Sequence, residues 1–583
     1  MKINNIIKGI TVAALVLGMS SCEKFLDRPA EDNYNTANFY QTDEQCLQGV
    51  NYLYNSPWYD FQRGFIKIGE VMSGNMYWGS SPYMNFSTNG TDQDLVNMSY
   101  SLWAVNGHAN TVISNLLASN GPSQTVKEQC IGECLTWKAM AYFFMVRTFG
   151  EVPIVHDNND LLTSGQYNNI KKVTRDNVYE YIIMTLEKAM ELLPKQTSNW
   201  TGRLDYYAAE GLLAKVYLTK AGSSGSVSSS DLAKAAEYAK DVIDNSGRSL
   251  TPTYSDVFRL SPSVYNATGE NLISWLWTAT GSQWTRQNTL QSDLAMVGFD
   301  EFGDCWGGYG GPSVDLMDAF GVDPTAHPNT RLAEKDSRRK ATLMMVGDRY
   351  EYFWTDKGGF DVLRFIYDSE DYGKGGPGEY QSPTGANNVK HLYGNGYDHT
   401  QAVGHSADRM CNSLPTHLLR LSDIYLIYAE AVLNTNAAAA LEYVNKVRER
   451  AGADALASVT WQDIWKERRL ELAGEGDRWY DYVRRSYYDM DGVIAELKAQ
   501  RRNAFWNLGT IYKKYYEDSS VWENEYDQET GLFTARYDED TPAPNVTASS
   551  FTLPFPTEDL VFNPNLALPG EDVDVRATYT YNF

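Results

Sequence analysis

The sequence predicts a mainly α-helical protein, built of about four tetratricopeptide-type helical hairpins with a large irregular, loop-rich region packed on them. Three observations predict this. Apolar residues recur at helical spacing mainly through residues 42–246 and again through 420–488. Small residues such as Ala429, Ala431, Ala438 and Ala440 dot those stretches, which lets paired helices approach closely. Between them, residues 247–419 lose the pattern and become rich in Gly, Tyr and Trp.

The chain opens on a targeting segment. Lys2 and Lys8 form a basic start, residues 10–18 an apolar run too short to span a bilayer, and Ser20-Ser21 precede Cys22. Residues 1–21 read as a signal peptide. Met19-Ser20-Ser21-Cys22 resembles a bacterial lipobox, which makes Cys22 the lipidated first residue of the mature chain. Acyl chains anchor without spanning, at roughly 0.8 kcal/mol per buried methylene. Position 23 is Glu, not the Asp typical of inner-membrane retention, which favours the outer membrane; Glu23 and Asp27 suit display at the cell surface. No run of 18 apolar residues follows.

Residues 23–35 read as an extended tether and 42–54 as the first helix. Residues 74–94 are rich in Gly, Ser, Asn and aromatics and read as a long loop. Helices are expected over 103–119, 126–149, 177–193, 204–219 and 231–244, with the Gly- and Ser-rich run 222–230 as a loop between two of them. Within 247–419 only short patterns stand out: a helix at 313–320 and an isolated strand at 271–278. Residues 420–485 read as three more helices. Asn434 and Thr435 end the first, Gly452 suits the C-cap of the second, and Thr460 with Asp463 forms an acidic capping box for the third. Residues 510–583 read as irregular. The whole of 22–583 is expected to be one domain.

The 420–485 stretch also carries a pattern of identities. Arg420, residues 426–431, Asn445, Val447-Arg448, Arg450-Ala451-Gly452, Glu467-Arg468-Arg469, Glu471, Glu475-Gly476, Arg478-Trp479 and Asp481 stand in one order. Together they resemble the C-terminal signature of the SusD/RagB family, the outer-membrane substrate-binding lipoproteins of Bacteroidetes. FLDRPAEDNYNTANFY at 25–40, Phe149-Gly150-Glu151-Val152-Pro153, Leu553-Pro554-Phe555-Pro556 and Asn563-Pro564-Asn565-Leu566 resemble further family segments. The resemblance covers almost the whole mature chain. It is dense at 126–153 and 420–485 and sparse at 270–400. It implies a SusD-like fold and capture of an oligo- or polysaccharide without cofactor. It also implies delivery to a SusC-like TonB-dependent transporter, over which the lipoprotein sits as a lid. RagB-like members imply a peptide ligand instead, and a surface glycoside hydrolase is the remote alternative.

Composition narrows the classes. The formal charge is −24, and removing residues 1–21 takes away two more lysines and no acid. Such a surface repels nucleic acid, which needs clustered Lys and Arg. Aromatics make up 13%, with 40 Tyr and 15 Trp, more than a core alone needs. Cys46, Cys130, Cys134, Cys305 and Cys411 are odd in number and fit no metal spacing, so they read as core thiols. No G-x-S-x-G or HExxH occurs, and the glycine clusters at 307–308 and 373–378 lack the context of a phosphate loop. His399 and His405 have no third metal ligand at useful spacing. No catalytic residue and no metal site is assigned.

Two kinds of polar cluster remain. Glu467, Glu471 and Glu475 lie on one helix face, but interleaved arginines point to ion pairs and caps, not a glycosidase acid pair. The aromatic loops suit sugars better, since a Trp or Tyr ring stacks on the apolar face of a pyranose while Asp, Asn and Arg bond its hydroxyls. One such segment holds Asp60, Asn75 and Trp78; the other holds Asp304, Trp306 and Tyr309, flanked by glycines expected to free the backbone. Arg364 and Tyr393 are candidates for a polar clamp and a further ring. Trp103, Trp275, Trp277 and Trp479 read as core.

Overall fold

A computed structural model describes residues 39–583, apart from 199, 261–268, 281–287, 301–304, 306, 332–333, 369–371, 373–378 and 409. Cys22 and the tether lie outside the described residues. The long helices are α1 (Asp43–Asn51), α2 (Gln93–Ala118), α3 (Gln124–Phe149), α4 (Arg175–Leu192), α5 (Tyr206–Lys220) and α6 (Ser229–Asn245), then α7 (Leu421–Val432), α8 (Ala437–Ala451), α9 (Trp461–Leu472) and α10 (Arg478–Ser486). From α2 to α8 each helix packs on the next. α6 packs on α7 although residues 247–419 separate them in sequence. The irregular region is thus an insertion between two consecutive helices of a continuous stack.

Local chemistry explains the boundaries. Thr42 caps α1, and its partner Gln45 closes a capping box. Ser123, Thr174, Asp205 and Ser228 each accept a backbone N–H at the starts of α3, α4, α5 and α6. Asp92 caps α2, which begins about ten residues earlier than expected: residues 93–101 form its first turns, with Leu95 and Met98 buried among polar neighbours. The expected loop at 74–94 shrinks accordingly. It holds a two-residue strand, β1 (Met76–Tyr77), and a short helix, Pro82–Asn85.

The 420–485 stretch forms four helices, not three. The expected caps are in place: Gly452 is left-handed at the end of α8, and Thr460 with Asp463 caps α9. The third expected helix breaks because Gly474 and Gly476 sit at φ +85° and +73°. A side chain at Gly476 would meet both that backbone and the Phe65 ring, 2.2 Å from its Cβ position. Residues 510–583 are also less irregular than expected, since the helix Leu508–Glu517 runs into them.

Strands are short. β2 (Asn271–Trp275) pairs antiparallel with β6 (Thr416–Arg420), so the two ends of the insertion clasp each other where it leaves the helices. β1 pairs with β3 (Gly311–Pro312), and β4 (Leu343–Met345) with β5 (Ala386–Asn388). Trp58, Trp137, Trp275 and Trp277 are fully buried in the main core, and Trp479 stacks on Phe551 at 5.1 Å. Trp103 packs half-buried against that core. Burying a side chain such as Leu212 or Leu213 of α5 stabilises the fold by about 1.5–3 kcal/mol each. All five described cysteines are buried.

Candidate functional site

The charged residues of 420–485 form a buried network. Arg420 is fully buried and donates Nε and Nη2 to Glu475, both at 2.8 Å, and Nη1 to Glu270 at 2.6 Å and Glu471 at 3.1 Å. Arg450 adds a bond to Glu270 at 2.9 Å, Arg338 pairs with Glu467, and Lys390 with Glu475 at 2.8 Å. Burial opposes the charge on Glu475, yet Arg420 and Lys390 outweigh it and hold the carboxyl down at about 2. Glu471 is likewise held well below the usual carboxylate range: burial opposes its charge, and Arg450, Arg420 and Arg338 override that. Glu467, Glu471 and Glu475 are therefore committed to guanidinium and ammonium partners. Three members of the network, Glu270, Arg338 and Lys390, belong to the insertion, so the signature stitches the insertion to the helices.

The two segments meet at a short strand pair. In the β1–β3 pair Met76 lies opposite Pro312 and Tyr77 opposite Gly311. Trp78 follows β1 directly, half-buried, at the start of a turn closed by Ser81 N–H to its carbonyl at 3.2 Å. A Cβ on Gly310 would lie 2.7 Å from the Trp78 ring. The turn Gly307–Tyr309, which bounds Trp306, is thus held next to Trp78. Asp304 and Trp306, and the Tyr309 side chain, lie outside the described residues.

The glycines here serve another purpose than the one expected. Gly307, Gly308 and Gly310 do not adopt left-handed backbone; each is pressed against a neighbour. Gly307 backs on the Asp293 carbonyl and Gly308 on the Gln381 side chain. At these three positions a side chain would collide with those neighbours, so glycine lets the backbone pack close there.

A row of polar residues reaches Trp78 at Lys67. Asp60, Arg63 and Lys67 follow at three- and four-residue steps along the continuous helical run 56–72. Half-buried Asp60 has its carboxyl raised above the ordinary value by burial. Arg63 is about half exposed and pairs with Asp293 at 3.2 Å. Lys67 pairs with Asp94, and its Nζ lies 5.8 Å from the Trp78 ring centre. Arg63 and Lys67 were not singled out from the sequence; their helical spacing from Asp60 is the signal that pointed to them.

Three candidates fall elsewhere. Asn75 is wholly buried: Arg469 donates to its Oδ1 at 2.8 Å and its Nδ2 donates to Glu70 at 2.9 Å. Its amide is spent on tying β1 to α9, which removes it from the ligand face. Tyr393 is 6% exposed, with its ring edge-on to His399 at 5.4 Å and its N–H bonded to Gln291 at 2.7 Å. It forms a wall, not a stacking platform. Arg364 lies on the short helix Val362–Tyr367 with its guanidinium 5.4 Å from the Tyr372 ring, apart from Trp78.

An indole at the surface, bordered by carboxylate acceptors and cationic donors, can stack on a pyranose and bond its hydroxyls. Comparisons with known proteins identify its relatives. The model of the SusD family matches residues 265–567, and a second model, described as starch-binding and associating with the outer membrane, matches 24–218. A SusD-like protein of Bacteroides ovatus is 31% identical over 593 residues, covering 99% of this chain and 98% of that protein. A crystal structure with a xylogluco-oligosaccharide is 29% identical with a TM-score of 0.74, covering 92% of this chain and 100% of the other. A laminarin-binding SusD-like protein shares the fold at 21% identity and TM-score 0.61, covering 90% and 98%. By the matched family model and the full-length relative, this chain belongs to the SusD family.

Proposed function

We propose that the protein captures a neutral oligo- or polysaccharide at the Trp78 face and delivers it to a SusC-like TonB-dependent transporter. In this reading it is held at the outer membrane by lipid on Cys22. The observation that carries the binding role is the junction of Trp78 with the glycine turn at 307–310. Two segments about 230 residues apart are brought together there, with Gly310 packed against the half-buried indole. Trp306 and Tyr309 are assigned as further rings, Asp304 as a hydroxyl acceptor, and Asp60, Arg63 and Lys67 as the polar rim. The structure solved with a xylogluco-oligosaccharide makes that ligand the first probe and laminarin the second.

Isothermal titration with these glycans tests the reading. Trp78→Ala and Trp306→Ala are expected to weaken binding by about 1–3 kcal/mol each without loss of fold. Unchanged affinity in both variants refutes the assigned face. Binding of oligopeptides and of no glycan replaces it with a RagB-like peptide role. A Cys22→Ser variant is expected to leave the membrane fraction; its recovery there argues against lipidation.

A further inference from the structure

A cleft of about 1200 Å³ opens within the insertion, away from Trp78. Its walls are the turn Pro328–Arg331, the helix Ser337–Thr342, the turn at 346–349 and the helix Gly396–Val403, with Tyr352 and Tyr393 among the lining side chains. Most of its cations are matched by acids. Arg259 pairs with Asp256 at 2.9 Å, Arg339 with Asp348 and Glu334, Lys340 with Glu351 at 3.9 Å, and Lys335 with Asp454 at 2.8 Å.

Arg331 and Arg349 differ. Arg331 is 8% exposed, donates Nη2 to the Val346 carbonyl, and leaves Nε without a partner. Arg349 donates Nη2 to the Gly358 carbonyl at 2.7 Å. Among the described residues no carboxylate pairs with either. Both belong to the same corner of the cleft, since the carbonyl that Arg331 holds begins the turn that leads to Arg349. An unmatched, nearly buried guanidinium is costly, and an anion that enters the cleft removes that cost. Burial alone would not carry this. Arg502 is buried with carbonyl partners too, but it lies over the Phe86 ring at 5.2 Å inside the core. Arg331 faces a cavity large enough for a ligand.

We infer that this cleft is a second binding site, selective for an oxyanion, a carboxylate or sulfate ester, carried on a sugar. Arg331 and Arg349 hold the charge, and the lining tyrosines and carboxylates meet the rest of the ring. The inference rests on the proposed glycan role only for the carrier of the anion. Titration of the mature protein with an oligogalacturonide, a sulfated oligosaccharide, inorganic phosphate and a xylogluco-oligosaccharide tests it. The acidic sugars are expected to bind, and added salt to weaken them. Arg331→Gln and Arg349→Gln are each expected to lower that affinity about tenfold or more. Trp78→Ala is expected to leave it unchanged while weakening the neutral glycan. Arg349 is exposed, so its variant keeps the test open should Arg331→Gln fail to fold. Phosphate binding as tightly as the acidic sugars, with the same dependence on both arginines, upholds the anion site and assigns it to a free ion. No binding of any anionic probe, or binding that survives both substitutions, overturns the inference. Loss of the Trp78 effect on neutral glycan refutes the other site alone.

Discussion

Glu471 shows at the scale of one residue how this chain spends its charges. Its carboxylate serves Arg420 and Arg450, with Arg338 3.5 Å away, and none of these groups reaches solvent to a useful extent. Removing one member of such a set leaves the others buried and uncompensated. Glu471→Gln is therefore expected to destabilise the fold by about 3–5 kcal/mol, read by chemical denaturation at pH 7. The pH dependence follows from the sign of the shift. The carboxyls of Glu471 and Glu475 titrate lower in the folded chain than in the unfolded one, so their stabilisation is present above about pH 4.5 and fades as pH falls toward 2. The gap between wild type and Glu471→Gln should narrow over that range, and a constant gap would place the loss in packing instead. The commitment of these acids to structure was legible in the sequence, because arginines interleave them at helical spacing. The burial of Asn75 was not: its partner Glu70 is buried, and its other partner, Arg469, lies almost 400 positions away, so nothing local marks it off from a loop asparagine in water.

Elements with regular spacing were legible, and those made by close backbone approach were not. The helices α3 to α8 follow from apolar periodicity and, except at the start of α7, from side-chain caps that act within four residues. The break between α9 and α10 depends on Gly476 meeting Phe65, and the β1–β3 pair on a glycine turn pressed onto distant atoms; neither partner is visible in the local pattern. The same logic makes the glycine turn testable. Gly310→Ala places a methyl against the Trp78 indole, which must then rotate or shift. The variant is expected to remain folded and to bind the xylogluco-oligosaccharide several-fold more weakly, although position 310 offers no side chain of its own to a ligand. Undiminished affinity would mean that the Trp78 ring position does not matter to binding.

For the whole molecule, the sequence divides into helical and irregular parts, which invites the view of a scaffold carrying an independent appendage. The structure joins them. Trp275 and Trp277, from the insertion, sit in the same core as Trp58 and Trp137. β2 lies against α5, and Gly211 of α5 faces Leu272 and Leu419 on the paired strands β2 and β6. Glu270, Arg338 and Lys390 add the ionic stitching. Strands buried this way open only when the helices do, so the amides of β2 and α5 should share one opening free energy in native-state hydrogen exchange. The insertion's outer turns, such as the one at 355–358, are exposed and should exchange much sooner. Glu471→Gln provides the control. If the network couples the two parts, the variant lowers protection in β2 and α5 together. Protection lost in β2 while α5 stays unchanged would show that the insertion folds as a unit of its own, and that the charges of the 420–485 signature do no more than cap helices.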